Sequence, residues 1–452
     1  MKLISPIESV FMLAETPRQP MHVAGLQVFQ PPAGAGPQFV RDLHTALLGR
    51  TGVQPGFRQR PAPLPGGIPS LGWSFDGEVD LDYHVRRSGL PGPGRVRELL
   101  TLVSRLHATS LDRSRPLWES YVIDGLKDGR FAIYTKMHHA LVDGISALRL
   151  LQGSLSSDPH SGEIRAPWES SARGPISQAE RSGLLRRLAD TAATVGALGP
   201  SSLSLGRAAL TEQQLTMPFR APRTMLNVPI VSARRCVADS WALDRITEVK
   251  KAAGVTLNDV VLAMCSGALR QYLIDQDALP DSPLVAMVPV SLRTERDAQG
   301  GNLVGGVLAN LATDQEDPVD RLQTIHSSVA VSKRILTELP RPQAMALSML
   351  LLAPSALSVV PGFSVATPPP FNVCISNVPG VRHPLHLGGA RLTGNYPMSI
   401  VTDGQALNIT LATSADSLDF GLVGCRRSVP HLQRMLGHLE TSLKDLERAV
   451  GL

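Results

Sequence analysis

The stretch Phe131-Ala132-Ile133-Tyr134-Thr135-Lys136-Met137-His138-His139-Ala140-Leu141-Val142-Asp143-Gly144 changes period partway along. Phe131, Ile133, Thr135 and Met137 alternate with Ala132, Tyr134 and Lys136, a period of two that predicts a strand. Beyond Asp143 the apolar residues Ile145, Leu148, Leu151 and Leu155 recur at helical spacing. Asp143 suits the N-cap or first turn of that helix, where the positive end of the dipole favours an acid. Two histidines therefore sit where a strand ends and a loop feeds a helix.

A neutral imidazole, with an unperturbed pKa near 6.5, can take a proton from an alcohol around neutral pH. His139 is the candidate base, held by backbone on one side and projecting into a cleft. Asp143 would fix the turn, the ring orientation or a nearby arginine, and Gly144 would allow close packing beneath the loop. On the residues alone, the histidines could merely cap a strand and Asp143 a helix, and the pattern supports no more than a histidine poised at a strand end beside a helix. The adjacent pair lacks the HExxH spacing, with no third His or Cys ligand nearby, so no metal is expected. Neither a GxSxG elbow, a Walker A loop nor a GxGxxG fingerprint occurs, and Gly300-Gly301-Asn302-Leu303-Val304-Gly305-Gly306 reads as a plain turn. A base without a neighbouring nucleophilic serine or cysteine implies direct attack by an acceptor, with no acyl-enzyme.

The 452 residues are too many for one compact core and predict two domains of roughly 200 residues each. Apolar residues at 43% and charged residues at 18% describe a globular chain, and 4% aromatics leave the cores to Leu, Val, Ala and Ile. The net charge of +5 is mild; it fits either an ordinary solvated surface or anionic partners such as nucleotide phosphates or a lipid surface. No dense Lys/Arg stripe interleaved with aromatics is present, so nucleic acid is not an expected partner. Cys236, Cys265, Cys374 and Cys425 form no CxxC pair and read as small buried hydrophobes in a reducing compartment. The N-terminus is not a secretory signal, because Pro6, Glu8 and Glu15 interrupt its apolar stretch. The most apolar window, 344–360, contains Pro354 and at 17 residues falls short of a membrane span.

Strand and helix patterns fill residues 1–170. Ser, Pro, Gly, Ala and Arg dominate from about 156, and 171–222 reads as a linker with a helical piece at 177–198. Residues 223–452 resume the alternation: helices at 243–253, 258–273, 322–339 and 431–450, strands at 283–290, 372–376 and 406–412. Interleaved elements in both halves predict mixed α/β sheets, and the halves could share one fold without visible sequence similarity.

Met137-His138-His139-Ala140-Leu141-Val142-Asp143-Gly144 resembles the HHxxxDG motif of the bacterial wax ester synthase/acyl-CoA:diacylglycerol acyltransferase family, related to chloramphenicol acetyltransferases, carnitine acyltransferases and peptide-synthetase condensation domains. Pro20-Met21-His22-Val23, Leu90-Pro91-Gly92-Pro93-Gly94-Arg95 and Leu111-Asp112-Arg113-Ser114-Arg115-Pro116-Leu117-Trp118-Glu119 are similar to segments of the wax ester synthase branch. Thr256-Leu257-Asn258-Asp259-Val260-Val261 resembles its ND motif, and Val288-Pro289-Val290-Ser291-Leu292-Arg293 and Ser376-Asn377-Val378-Pro379-Gly380 are likewise typical. The resemblance implies two chloramphenicol-acetyltransferase-like α/β domains with the active site at their interface. It further implies long-chain acyl-CoA as a substrate rather than a cofactor, diacylglycerol or a fatty alcohol as acceptor, and triacylglycerol or wax ester as product. His139 would be the base, Asp143 the orienting acid and His138 its less essential neighbour. Asn258 would stabilise the oxyanion or complete the site, unless it only N-caps the helix beginning at Asp259. Pro116, Leu117 and Trp118 would line the acyl-CoA entrance, unless Trp118 is a packing anchor, and Arg293 would pair with Asp143. Cytoplasmic location with peripheral contact at the inner membrane face or lipid bodies is the matching expectation. Transfer to another hydroxyl or amine, or acyl-lipid binding without turnover, are the alternatives.

Overall fold

The computed structural model describes residues 2–4, 6–62, 72–169, 216, 218–291, 304–338 and 368–452. The expected linker lies outside these except for its last residues, as do the 177–198 helical piece, the 344–360 window and Arg293.

The first half supplies β1 (Lys2–Leu3), α1 (Pro6–Ala14), β2 (His22–Gln30), α2 (Phe39–Leu48), β3 (Gln59–Ala62), β4 (Gly72–Phe75), α3 (Leu81–His84) and β5 (Val85–Gly89). It continues with α4 (Val96–Ala108), β6 (Trp118–Asp124), β7 (Phe131–His138) and α5 (Gly144–Gly153). The second half supplies β8 (Arg234–Ala242), α6 (Leu243–Ala253), α7 (Leu257–Ile274), β9 (Val285–Ser291), β10 (Val304–Asn310) and α8 (Pro318–Glu338). It ends with β11 (Val373–Val378), β12 (His386–Leu387), β13 (Ala390–Met398), β14 (Leu407–Thr413), β15 (Ser417–Cys425) and α9 (Arg434–Ala449). The glycine-rich stretch expected as a turn enters β10 at Val304.

Two six-stranded mixed sheets dominate, ordered β12-β13-β2-β7-β6-β5 and β10-β9-β11-β14-β15-β8. In the first, β2–β7 and β7–β6 are antiparallel and β6–β5 parallel. In the second, β8–β15 and β15–β14 are antiparallel and β14–β11 parallel. For four strands of each sheet chain order and spatial order agree, so β2, β5, β6 and β7 correspond to β8, β11, β14 and β15, while β13 flanks β2 in one sheet and β9 flanks β11 in the other. One four-stranded topology has been built twice.

The sheets do not divide at a single point of the chain. β13, from the segment expected to form the second domain, pairs along β2 of the first sheet. It crosses β15 so closely that a side chain at Gly421 would collide with the Pro397 carbonyl. Asn395 and Ser240 are both bound by the buried Asp419 carboxylate, which fixes this crossing. On the opposite flank α4 lies against β8, with the Ser104 hydroxyl accepting from the Cys236 N–H at 2.8 Å.

Strand β7 is central and buried on both faces, as a strand with neighbours on either side and helices or sheet above and below must be. Its odd face (Phe131, Ile133, Met137) joins Val23, Trp118, Leu150 and Leu151 in the first core. Its even face (Ala132, Tyr134) joins a core shared with α4, β8 and the second half. The even face also carries Lys136, which pairs with Glu119 at 3.2 Å and donates to the Leu106 and Thr109 carbonyls. A buried ammonium is tolerated only when paired and fully bonded, which these three partners provide.

Candidate active site

The loop 139–143 is held by backbone before any side chain acts. The His138 N–H donates to the Leu117 carbonyl (3.0 Å) and the His139 N–H to the Met21 carbonyl (2.8 Å), so the loop is strung between β6 and β2. Leu141 N–H closes the turn onto the His138 carbonyl at 2.9 Å. Helix α5 then seats Leu151 on β2 at Gly25, where a side chain would sit 2.4 Å from the leucine methyl. Burying Leu151 fully is worth about 1.5–3 kcal/mol, and Leu148 on the same helix meets Val378 and Ala412 of the second sheet. The loop therefore opens where the two sheets approach each other.

The adjacent histidines face different surroundings. His138 is fully buried, its Nδ1 accepting from the Ala140 N–H at 3.0 Å. That fixes the Nε2–H tautomer, with Nε2 3.7 Å from Glu15 Oε1. Burial, helped by the Arg113 guanidinium, pushes its pKa down to about 3, so it stays neutral. His139 is half-buried: Nδ1 is enclosed without a hydrogen-bonding side chain, leaving Nε2 as the nitrogen toward open space. Burial lowers the His139 pKa, opposed by its own backbone carbonyl and the Asp143 carboxylate. The Phe11 ring lies parallel to the His139 ring, centroids 4.0 Å apart and 12° from coplanar.

Asp143 is the N-cap of α5, accepting the Ser146 N–H at 2.7 Å and the Ser146 hydroxyl at 2.9 Å. Among the described residues Gly144 has nothing within 4 Å of where a β-carbon would stand, so the close packing expected beneath the loop is not found there. Trp118 is a packing anchor with no exposed surface, stacked on His84 and Trp168 with Nε1 donating to the Phe57 carbonyl. Pro116 and Leu117 are also buried; Leu117 packs with Ile4, Met12, Trp73, Leu111 and Ala140 under the loop. Leu117 thus packs under the loop, and all three residues of the run are buried among the described residues.

Asn258 is half-buried in the first turn of α7, and no hydrogen bond among the described residues joins it to His139. It is not the N-cap either. Thr256 caps the helix in a reciprocal box with Asp259, whose carboxylate also binds His326 at 2.8 Å. Phe11, Glu15 and Ser146 also meet this loop; Phe11 and Glu15 carry no local signal in the sequence because their partners are brought in by folding, whereas Ser146 stands three residues after an N-cap acid.

Behind His138 lies a row of neutral histidines. His107 Nε2 meets the Ser399 carbonyl (3.1 Å) and must donate, so its Nδ1 accepts from the Tyr134 hydroxyl (2.8 Å). Burial holds His107 near about 3 and His22 well below 6.5. His139 alone in this group presents a ring nitrogen to open space. Among the described residues no single helix is long and apolar enough to cross a membrane.

Paired sheets of one topology, with a histidine on the loop between them, define the chloramphenicol-acetyltransferase-like acyltransferases. The fold recurs in the starter condensation domain of rhizomide synthetase, 14% identical with a TM-score of 0.57 over 100% of this chain and 94% of that one. The wax ester synthase/diacylglycerol acyltransferase catalytic domain matches residues 4–261, and the C-terminal domain of the same family matches 300–447. A wax ester synthase/diacylglycerol acyltransferase from Marinobacter aquaeolei VT8 is 40% identical over the full length of both chains, with a TM-score of 0.81. A putative diacylglycerol O-acyltransferase of Mycobacterium tuberculosis is 62% identical, covering 99% of this chain and 100% of its own. The O-acyltransferase WSD of Acinetobacter baylyi is 39% identical over 100% of this chain and 98% of its own. The chain belongs to the wax ester synthase/diacylglycerol acyltransferase family and is an O-acyltransferase.

Proposed function

We propose that the chain transfers a long-chain acyl group from acyl-CoA to the free hydroxyl of diacylglycerol, and also to a fatty alcohol, with His139 as general base. The observation that carries this is the open Nε2 of a half-buried, neutral His139 inside an intact HHxxxDG run. Nε2 takes the proton as the acceptor oxygen attacks the thioester carbonyl. The C–S bond then breaks, and the imidazolium returns the proton to the departing CoA sulfur. A base, a hydroxyl and a thioester balance this reaction without a further cofactor. His138 serves as scaffold through the Ala140 N–H, and Asp143 sets the start of α5 while its charge supports the imidazolium. Because both the acceptor and the product partition into lipid, the chain would work in peripheral contact with a lipid surface.

The test is CoA release from palmitoyl-CoA with a panel of dioleoylglycerol, hexadecanol and a long-chain amine, the products read by mass spectrometry. Triacylglycerol or wax ester formed by the native chain and lost in His139→Ala, with acyl-CoA binding retained, is the expected result. Unchanged turnover in His139→Ala would sink the assignment of the base, and amide as the main product would sink the acceptor class.

A further inference from the structure

Helix α1 and the turn after it touch the reacting loop at two points that the proposed mechanism does not use. At the first, Phe11 covers one face of the His139 ring. At the second, Glu15 sits under the loop with every contact directed at something that holds it. Its Oε1 accepts the Met21 N–H at 3.2 Å and stands 3.7 Å from His138 Nε2. Its Oε2 accepts from Arg113 Nε at 2.9 Å, and Arg113 Nη2 also donates to the Met12 carbonyl at 2.7 Å, tying down the end of α1. Met21 is in turn the residue whose carbonyl receives the His139 N–H.

We propose that α1 is a clamp for the base: Phe11 fixes the plane of the His139 imidazole, and Glu15, pinned by Arg113, fixes the Met21 strand end from which the His139 backbone hangs. Both are positioning residues for acyl transfer, and the proposal rests on His139 being the base.

The His139 Nδ1 is enclosed, with its own backbone carbonyl beside it and no side-chain partner, so a flat ring against the imidazole adds to what limits its turning about the Cβ–Cγ bond. In many histidine bases a carboxylate on Nδ1 does that work; here Asp143 is engaged with Ser146, and a flat ring at van der Waals distance takes the place of the carboxylate. Stacking favours coplanarity while leaving Nε2 free. The Arg113–Glu15 pair explains a segment that the sequence singled out and the reaction did not absorb. The Glu15 side chain is 5% exposed and stands 2.9 Å from an Arg113 nitrogen, so the pair is held largely out of water. The groups with charge or titration near the ring are Asp143 and His138 on its own loop, with Glu15 and Arg113 behind His138.

The experiment compares Phe11→Leu, Phe11→Tyr, Glu15→Gln and Glu15→Ala in the full chain, each checked by circular dichroism and thermal melting. CoA release from palmitoyl-CoA with dioleoylglycerol is followed across pH. Phe11→Leu should lower kcat about tenfold with KM for acyl-CoA within about twofold, since loss of orientation acts on the reacting geometry rather than on binding. It should also move the acid limb of kcat/KM upward in pH, because water reaches the exposed ring face. Phe11→Tyr, which restores a flat ring, should recover most of the rate. Glu15→Gln keeps an acceptor for the Met21 N–H and should retain more kcat than Glu15→Ala. A folded Phe11→Leu with native kcat and pH profile would overturn the clamp, and so would equal losses in Phe11→Leu and Phe11→Tyr. If Glu15→Ala fails to fold, the two Phe11 variants decide alone. An inactive His139→Ala beside native-like Phe11 variants removes the clamp and leaves the base standing; an active His139→Ala removes the base itself.

Discussion

Both oxygens of the Asp143 carboxylate are committed to one residue, Ser146, through its backbone N–H at 2.7 Å and its hydroxyl at 2.9 Å. The motif aspartate therefore acts on the start of α5 and reaches His139 only through its charge. Asp143→Ala should lower stability by about 1 kcal/mol, the ordinary cost of an N-cap, and reduce kcat as the loop end frays. Asp143→Asn keeps an acceptor for the N–H and should hold the native melting temperature while kcat still falls. Equal melting temperatures for Ala and wild type would contradict the cap.

The two histidines should separate stability from turnover. His139→Ala should melt like the native chain and lose about 10²–10⁴ in kcat, the range for a general base. His138→Ala leaves the buried Ala140 N–H without its acceptor, at a cost of about 1–3 kcal/mol, and should keep measurable turnover. Melting curves paired with CoA-release rates decide this, and a stable but inactive His138→Ala would reverse the roles.

Acid should unfold this protein early. His107 and His138 are held near about 3 and His22 well below 6.5, all by burial, so their folded pKa values lie below the unfolded one. As pH falls through 6.5 the unfolded chain takes up protons that the folded chain refuses. Stability present above 6.5 is then lost at about 1.4 kcal/mol per histidine per pH unit. Melting temperature should be level from pH 8 to 7 and drop steeply between 6 and 4; a level trace to pH 5 would contradict the burial. The lowered pKa of His139 likewise puts the acid limb of kcat/KM below 6.5.

Trp118→Ala removes an indole stacked between His84 and Trp168 and should cost about 3–5 kcal/mol. Acyl-CoA affinity of the remaining folded protein should be unchanged. Weakened acyl-CoA binding at a native melting temperature, measured by titration calorimetry, would restore the entrance role.

Gly144→Ala should be neutral or stabilising by a few tenths of a kcal/mol, since the site is helical, φ is not positive and, among the described residues, no packing neighbour lies within 4 Å of the new methyl. A fall in kcat/KM without a fall in melting temperature would mean that substrate passes through this space.

The elements were largely legible. The period change around His138 places β7 and α5, and the helix expected at 243–253 is found at Leu243–Ala253. What the pattern left open was what a position does once packed. The period of two places Lys136 on one face of the strand without telling what meets it; that lysine is buried because Glu119 and two carbonyls from distant segments reach it. The entrance role of the Pro-Leu-Trp run comes with the family resemblance; that Leu117 packs under the loop and Trp118 stacks on Trp168 is visible only in the fold.

By itself, then, the sequence determined the strand, the turn and the helix around His139, because steric preference and apolar period act between near neighbours in the chain. It also carried the motif that assigns the family. Only the tertiary structure decided which ring nitrogen is open, that Phe11 lies against it, that Glu15 and Arg113 brace it from 98 residues apart, and that β13 joins the first sheet. Those depend on long-range packing, where the free energy of a contact comes from the burial of both partners and neither one alone reveals it.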